Sequence, residues 1–274
     1  MKLSVVVTSR NDNYGGNMKE RATLCLSHMI NTFDEVVYVD YNSPGKTLFD
    51  EIKHLLPVKG NLKVVVVSPE DHKKILGKET PGMVEVFARN IGIRRATGDI
   101  IFMSNIDIIP PHRNLLNLFI NDFYEKDSFY TISRRDVKLT KDFDLNKYVF
   151  DESIRNSLFL NRDRTQPKGP FNGDPWSKIR CCGDFQFANK LIWEKIRGFE
   201  ESMVDRGWAD THVQMKAELG GYPIRAIYDL PVFHILHDYK KGNKINNTDI
   251  FKSKDTTNPD TWGFSNYNFK QVMI

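Results

Sequence analysis

The sequence predicts an α/β protein: a single Rossmann-like domain with a mixed, mostly parallel sheet flanked by helices, and an irregular C-terminal tail. Three observations carry this. Short apolar runs rich in Val and Ile alternate with amphipathic segments of helix length through the first half. Those runs are apolar on both faces, as a sheet covered on two sides demands. A chain of 274 residues with 40% apolar content is also large enough to bury one sizeable core.

Taken in order, residues 3–8, 35–40, 62–68 and 99–104 read as strands. Residues 17–31, 46–56 and 81–96 read as the helices between them. Strand–helix–strand order implies parallel strands joined by right-handed crossovers, and such sheets bind ligands beyond the carboxyl ends of their strands. Residues 113–126 form another helix. Periodicity then weakens: residues 136–180 are polar and read as one long irregular stretch that shapes a cleft. Regular patterns return as a strand at 182–188, helices at 190–196 and 211–219, and a strand at 224–228. From residue 239 the chain is rich in Asn, Lys, Asp and Thr, the composition of a tail. With no internal repeat, residues 1–238 read as one domain and 239–274 as the tail.

Composition narrows the function. The formal net charge is +4, spread along the chain, and the basic pairs Arg94-Arg95 and Arg134-Arg135 stand alone. Without interleaved aromatics these pairs are solvated surface, so no nucleic-acid partner is expected. Three cysteines (Cys25, Cys181 and Cys182) make no disulfide framework and point to a reducing compartment. The first apolar run breaks too early for a signal peptide, and none approaches the ~20 residues of a membrane span. A cytoplasmic protein with no transmembrane segment is the expectation.

The candidate chemistry sits just after the strands. The first strand runs into Thr8-Ser9-Arg10-Asn11, a polar cluster suited to a base, ribose or phosphate, or else to capping an ordinary loop. Asp40 closes the second, where a carboxylate needs a donor: a base N–H, a ribose hydroxyl, or the following turn. No Gly-x-Gly-x-x-Gly and no P-loop lysine is present, which disfavours dinucleotide and P-loop readings. A helix carrying Arg89 and Asn90 feeds a strand that ends in Asn105-Ile106-Asp107. In extended geometry the two ends of that triplet share a side and can reach one hard cation.

These motifs resemble glycosyltransferases of the GT-A fold, most closely the large inverting family 2. The resemblance covers residues 1–112 and, more loosely, 181–238. It implies transfer of a sugar from a nucleotide diphosphate sugar, UDP-linked by default, to a hydroxyl of a glycan or other acceptor, with inversion. Residues 1–112 would bind the nucleotide sugar and 113–238 the acceptor. It assigns the donor to Thr8, Ser9, Arg10, Asn11, Asp40, Arg89, Asn90, Asn105 and Ile106. It makes Asp107 the principal ligand of a Mn²⁺ or Mg²⁺ ion, completed by a histidine from Phe233-His234-Ile235-Leu236-His237. Strand alternation puts His234 and His237 on opposite faces, so only one is expected to serve, with His237 preferred. Asn105 stands where the family most often has Asp, and Ala209 where it has Glu. The resemblance makes Asp210 the general base, at a helix N-terminus that favours its ionised form, and Asp184 a second carboxylate for sugar hydroxyls. Trp176 and Trp208 flank these acids and offer faces to a sugar ring. Two other readings stay open: nucleotidyl transfer onto a sugar phosphate, and nucleotide-sugar binding without turnover.

Overall fold

The computed structural model describes residues 1–80, 82–140, 183–204, 208–238 and 258–274. Trp176, Cys181, Cys182 and most of the polar stretch expected to shape a cleft lie outside these residues. Among the described residues nine strands form one sheet: β1 (Leu3–Ser9), β2 (Glu35–Tyr41), β3 (Leu62–Val67), β4 (Ile100–Asn105), β5 (Ile108–Ile109), β6 (Phe129–Val137), β7 (Phe185–Asn189), β8 (Ile224–Ile235) and β9 (Lys270–Met273). Their order is β5-β8-β6-β7-β4-β1-β2-β3-β9. Pairing directions make β1 to β4, β6 and β8 run one way, and β5, β7 and β9 the other. The mixed, mostly parallel sheet expected from the sequence is therefore present. One consequence governs the site. The carboxyl ends of β1, β2, β4, β6 and β8 and the amino end of β7 all meet at one edge.

Alternation along each strand feeds two cores. Val5, Tyr38 and Phe102 pack on one face with Ala22, Cys25 and Met29 of α1 (Met18–Thr32). Val6, Val39 and Met103 pack on the other with Val86, Ile91 and Ile93 of α4 (Glu85–Arg95). Helices α2 (Leu48–Ile52) and α5 (Arg113–Asp122) join the first face, and α6 (Lys190–Lys195) and α7 (Ala209–Leu219) the second. Helix α3 (Pro69–Leu76), not anticipated from periodicity, opens on a capping box at Ser68 and Asp71 with Pro69 at its first turn. Among the described residues, no helix is long and apolar enough to cross a membrane.

Two expectations need correction. Strand β6 lies where periodicity was thought to fade, because Arg134 and Asp136 are buried there as partners rather than exposed on a loop. The tail is not wholly irregular. Arg95 of α4 donates to the carbonyls of Gly263 (2.8 Å), Phe264 (2.9 Å) and Tyr267 (2.9 Å). Buried Trp262 lies under the Arg94 guanidinium, 5.0 Å from ring to carbon, and β9 then pairs antiparallel with β3. Replacing Trp262 by Ala should therefore lower the unfolding free energy by about 3–5 kcal/mol, the cost of truncating a core aromatic. Urea denaturation measures it, and a loss under about 1 kcal/mol would mean the tail is not core.

Candidate functional site: a His-His-Asp cluster beside a carboxylate pair

Asp107 follows β4 in a tight turn, buried at 6% exposure where an unpaired carboxylate is costly. Three cationic or imidazole groups converge on its Oδ2. Arg21 Nη1 of α1 is at 3.0 Å, His237 Nε2 at 3.0 Å and His234 Nε2 at 3.7 Å. Burial alone would raise this carboxyl. The His237 hydrogen bond and the charges of His234, His237 and Arg21 bring it below the ordinary aspartate range instead. The same hydrogen bond to Asp107 raises His237. One ligand atom from each of Asp107, His234 and His237 lies within 4.8 Å of the others. Asp107 Oδ1 is buried without a hydrogen-bond partner among the described residues. A carboxylate with one orphaned oxygen, beside two imidazoles, is a donor set that fits a divalent cation, and the two nitrogens suit Mn²⁺ better than Mg²⁺.

The expectation that only one histidine faces this side was wrong. His234 lies inside β8 and points to Asp107. The strand ends at Ile235, so the alternation does not extend to His237, whose ring returns to within 5.1 Å of the His234 ring. The loop after β1 closes over it. Arg21 donates to the carbonyls of Tyr14 and Gly16, and the Tyr14 ring meets His237 edge-on at 5.3 Å. Gly15 sits between them at φ +72°, and a Cβ there would fall 2.3 Å from His237 Nδ1. Both the backbone conformation and the space require glycine. Arg21 escaped sequence analysis, although a lone guanidinium within the apolar stripe of Met18, Ala22, Cys25 and Met29 was the available signal.

Beside this cluster lies a pair of carboxylates. Asp184, half-buried at the amino end of β7, accepts from Asn105 Nδ2 at 2.7 Å and from Arg134 Nη1. Asn105 Oδ1 in turn accepts from Arg89 Nη2 at 3.0 Å, and the same nitrogen donates to Glu85. Arg89 lies over the Phe199 ring at 4.9 Å, and its buried Nε has no hydrogen-bond partner among the described residues. Asp210 occupies the first turn of α7, half-buried, with Trp208 as the cap residue in a left-handed conformation. It is therefore not the cap. Its carboxyl is raised, chiefly by burial and further by the Asp184 charge, with Arg89 opposing. Desolvation thus outweighs the helix N-terminus that was expected to favour the ionised form. Gly183 lets the backbone meet this acid, since a Cβ there would fall 1.8 Å from Asp210 Cβ. Trp208, two residues before Asp210, is 53% exposed.

Several predicted donor contacts turn out to be internal. Asp40 is fully buried, and its carboxylate accepts from Ser43 Oγ, Tyr38 Oη (3.1 Å) and the Phe49 N–H (3.3 Å). It holds a turn, the plainer of the two roles open to it, rather than a base or ribose. Ser9 shares that network through Tyr38 Oη at 2.6 Å, and Ser43 Oγ accepts from the Asn11 N–H at 2.8 Å. Thr8 is buried at the strand end. Arg10 is half-buried and spends Nε on the Asn42 carbonyl (2.8 Å) and Nη1 on Asp12 (2.9 Å). Asn90 is fully buried, pinning the loop after α6 through the Phe199 N–H and carbonyl (both 2.8 Å) and Glu201 (3.0 Å). Ile106 is core. The triplet ends part company too, since Asn105 engages Arg89 and Asp184 while Asp107 engages Arg21 and His237. Extended geometry stops at Asn105, and the turn re-aims Asp107.

No family model matches the chain, and no curated protein matches it. Solved structures do. TarS residues 1–349 of S. aureus align over 86% of this chain and 60% of that one, at 18% identity and TM-score 0.51. The same TarS fragment in complex with UDP-GlcNAc aligns over 88% and 60%, at 18% identity and TM-score 0.52. A complex of that fragment with UDP aligns over 86% and 61%, at TM-score 0.50. The chain spans about 60% of the length of these fragments. At such identity the likeness is one of fold, and the GT-A fold expected from the motifs is the fold this chain has.

Proposed function

We propose that the chain is a metal-dependent glycosyltransferase that moves a sugar from a nucleotide diphosphate sugar, UDP-linked, to a hydroxyl of a glycan or other acceptor, with inversion. The observation that carries this reading is the meeting, at one sheet edge, of a His-His-Asp cluster and a second cluster of two carboxylates and two arginines. The first suits a diphosphate-bound cation and the second a reacting hydroxyl. The TarS complexes with UDP and UDP-GlcNAc support the donor class.

In this reading Asp107, His234 and His237 would hold a Mn²⁺ or Mg²⁺ ion, which when bound would supply Lewis acidity to the reaction. Asp210 accepts the acceptor's proton as the acceptor oxygen bonds to the anomeric carbon and the carbon–diphosphate oxygen bond breaks on the opposite side. Asp184, held by Asn105 and Arg134, accepts hydrogen bonds from sugar hydroxyls. Arg89, bonded to Asn105 Oδ1, adds a positive charge beside these acids. Residues 1–112 form the donor half and 113–238 the acceptor half.

A thermal-shift panel of nucleotide sugars with and without Mn²⁺ tests this. A nucleotide diphosphate sugar at a hundred times its Kd should stabilise the fold by about 2.7 kcal/mol, and only with the metal. A flat panel would remove the donor site. Release of pyrophosphate from a nucleoside triphosphate in place of nucleoside diphosphate would convert the reading to nucleotidyl transfer.

A further inference from the structure

Strand β6 places Arg134 and Asp136 two residues apart, so both side chains leave the same face. After a register shift between Ile132 and Arg134, Asp136 stands directly opposite His234 of β8. His234 Nδ1 and Asp136 Oδ1 are 2.9 Å apart, both residues buried. An ionised carboxylate only accepts, so the proton of this bond belongs to Nδ1, and in the neutral imidazole that a metal requires this leaves the lone pair on Nε2. Nε2 is the atom that points toward Asp107, at 3.7 Å. Arg134 braces the arrangement, with Nε 3.3 Å from the same Asp136 oxygen and Nη1 on Asp184. One ion-pair chain thus runs from the acid pair to the back of a metal-ligand candidate.

We propose that Asp136 is a positioning residue: it fixes His234 in the Nδ1–H tautomer and orientation that present Nε2 to a divalent cation, and so favours Mn²⁺ over Mg²⁺. This rests on the metal site proposed above and deepens it. A carboxylate behind a ligating imidazole raises its basicity and locks its orientation. Manganese gains more than magnesium from a nitrogen donor, so the preference follows from the same contact. The contact was not visible from sequence, since it needs the β6–β8 register.

The test uses the full chain and two readouts. Long-range ¹H–¹⁵N NMR of the metal-free protein should show His234 as the Nδ1–H tautomer. Asp136→Asn, nearly isosteric, should give a mixture of tautomers. Mn²⁺ titration followed by EPR should show Asp136→Asn weakening binding by about 10–100-fold, with a smaller loss for Mg²⁺ measured by competition. In a His234→Ala background the same substitution should change Mn²⁺ affinity less than about twofold, because the residue acts only through His234. Far-UV circular dichroism and the melting temperature of each variant identify loss of fold. If Asp136→Asn does not fold, Arg134→Met, which removes the brace on Asp136 together with the Asp184 contact, takes its place in the tautomer and Mn²⁺-binding readouts, neither of which depends on Asp184, with the same direction expected.

An Nε2–H tautomer in the wild type overturns the proposal, as does an undiminished Mn²⁺ affinity in Asp136→Asn. Equal losses with and without His234 also overturn it. Failure of the wild type to bind Mn²⁺ overturns the metal site itself, whatever the tautomer.

Discussion

Replacing Asp107 by Asn is expected to remove divalent-dependent sugar transfer, lowering kcat/KM by about 10³-fold, or about 4 kcal/mol of transition-state stabilisation. The size follows from what the residue does. It supplies the carboxylate of the His-His-Asp cluster, and its buried Oδ1 has no hydrogen-bond partner among the described residues. Asparagine keeps the shape and loses the charge that a hard cation requires. The substitution has a second effect that must be separated from the first. Arg21, 3% exposed at its side chain, would lose its ionic partner. Breaking a buried pair from one side costs about 3–5 kcal/mol. Adding Arg21→Met to Asp107→Asn should restore most of that stability without restoring transfer. Steady-state kinetics over a Mn²⁺ series, with urea denaturation of both variants, checks the two halves. Transfer within tenfold of wild type in a folded Asp107→Asn protein would end the metal reading.

How far the sequence carried this depends on the range of each interaction. The strands of the first half were legible because Val-rich runs and helical stripes are local patterns, and the convergence of their carboxyl ends follows from topology alone. Asp107, His234, His237, Asp184 and Asp210, singled out from the sequence, all lie at one edge of the sheet. The role of Asn90 was not legible, and for Asp40 the sequence left a turn and a ligand both open. Whether a polar side chain faces a cleft or a turn depends on neighbours such as Tyr38, Ser43 and Phe199, which periodicity does not reveal. The two-histidine cluster was missed for a simpler reason, since alternation was extended two residues beyond the end of β8. Strand β6 was missed because buried charges look like loop until their partners are known, and those partners lie 50 and 98 residues away. The capping box at Ser68 was available in the sequence and marks a helix that hydrophobic spacing alone does not.

Asp210→Asn should separate catalysis from stability in opposite directions. As the proposed base, Asp210 must be ionised when the acceptor attacks, and its removal should lower kcat by about 10²–10⁴-fold while donor binding in the thermal-shift panel persists. The same carboxyl has a raised pKa in the folded protein, chiefly through burial and also through Asp184. The folded state therefore binds a proton more tightly here than the unfolded chain does. Its contribution to stability is greatest below the unfolded value and is lost as pH rises through the folded value. At neutral pH the ionised group sits in a site that disfavours it, so the neutral amide should raise the melting temperature relative to wild type. The gain should vanish in acid, where both side chains are uncharged. In the wild type the acid limb of kcat against pH should fall above the ordinary carboxylate range, and in the variant that limb should be absent. An Asp210→Asn protein that keeps the acid limb, or is less stable than wild type at pH 7 and equally active, would show that this acid is a structural residue. The proton would then have to leave through Asp184, which Arg134 and Asn105 hold in place.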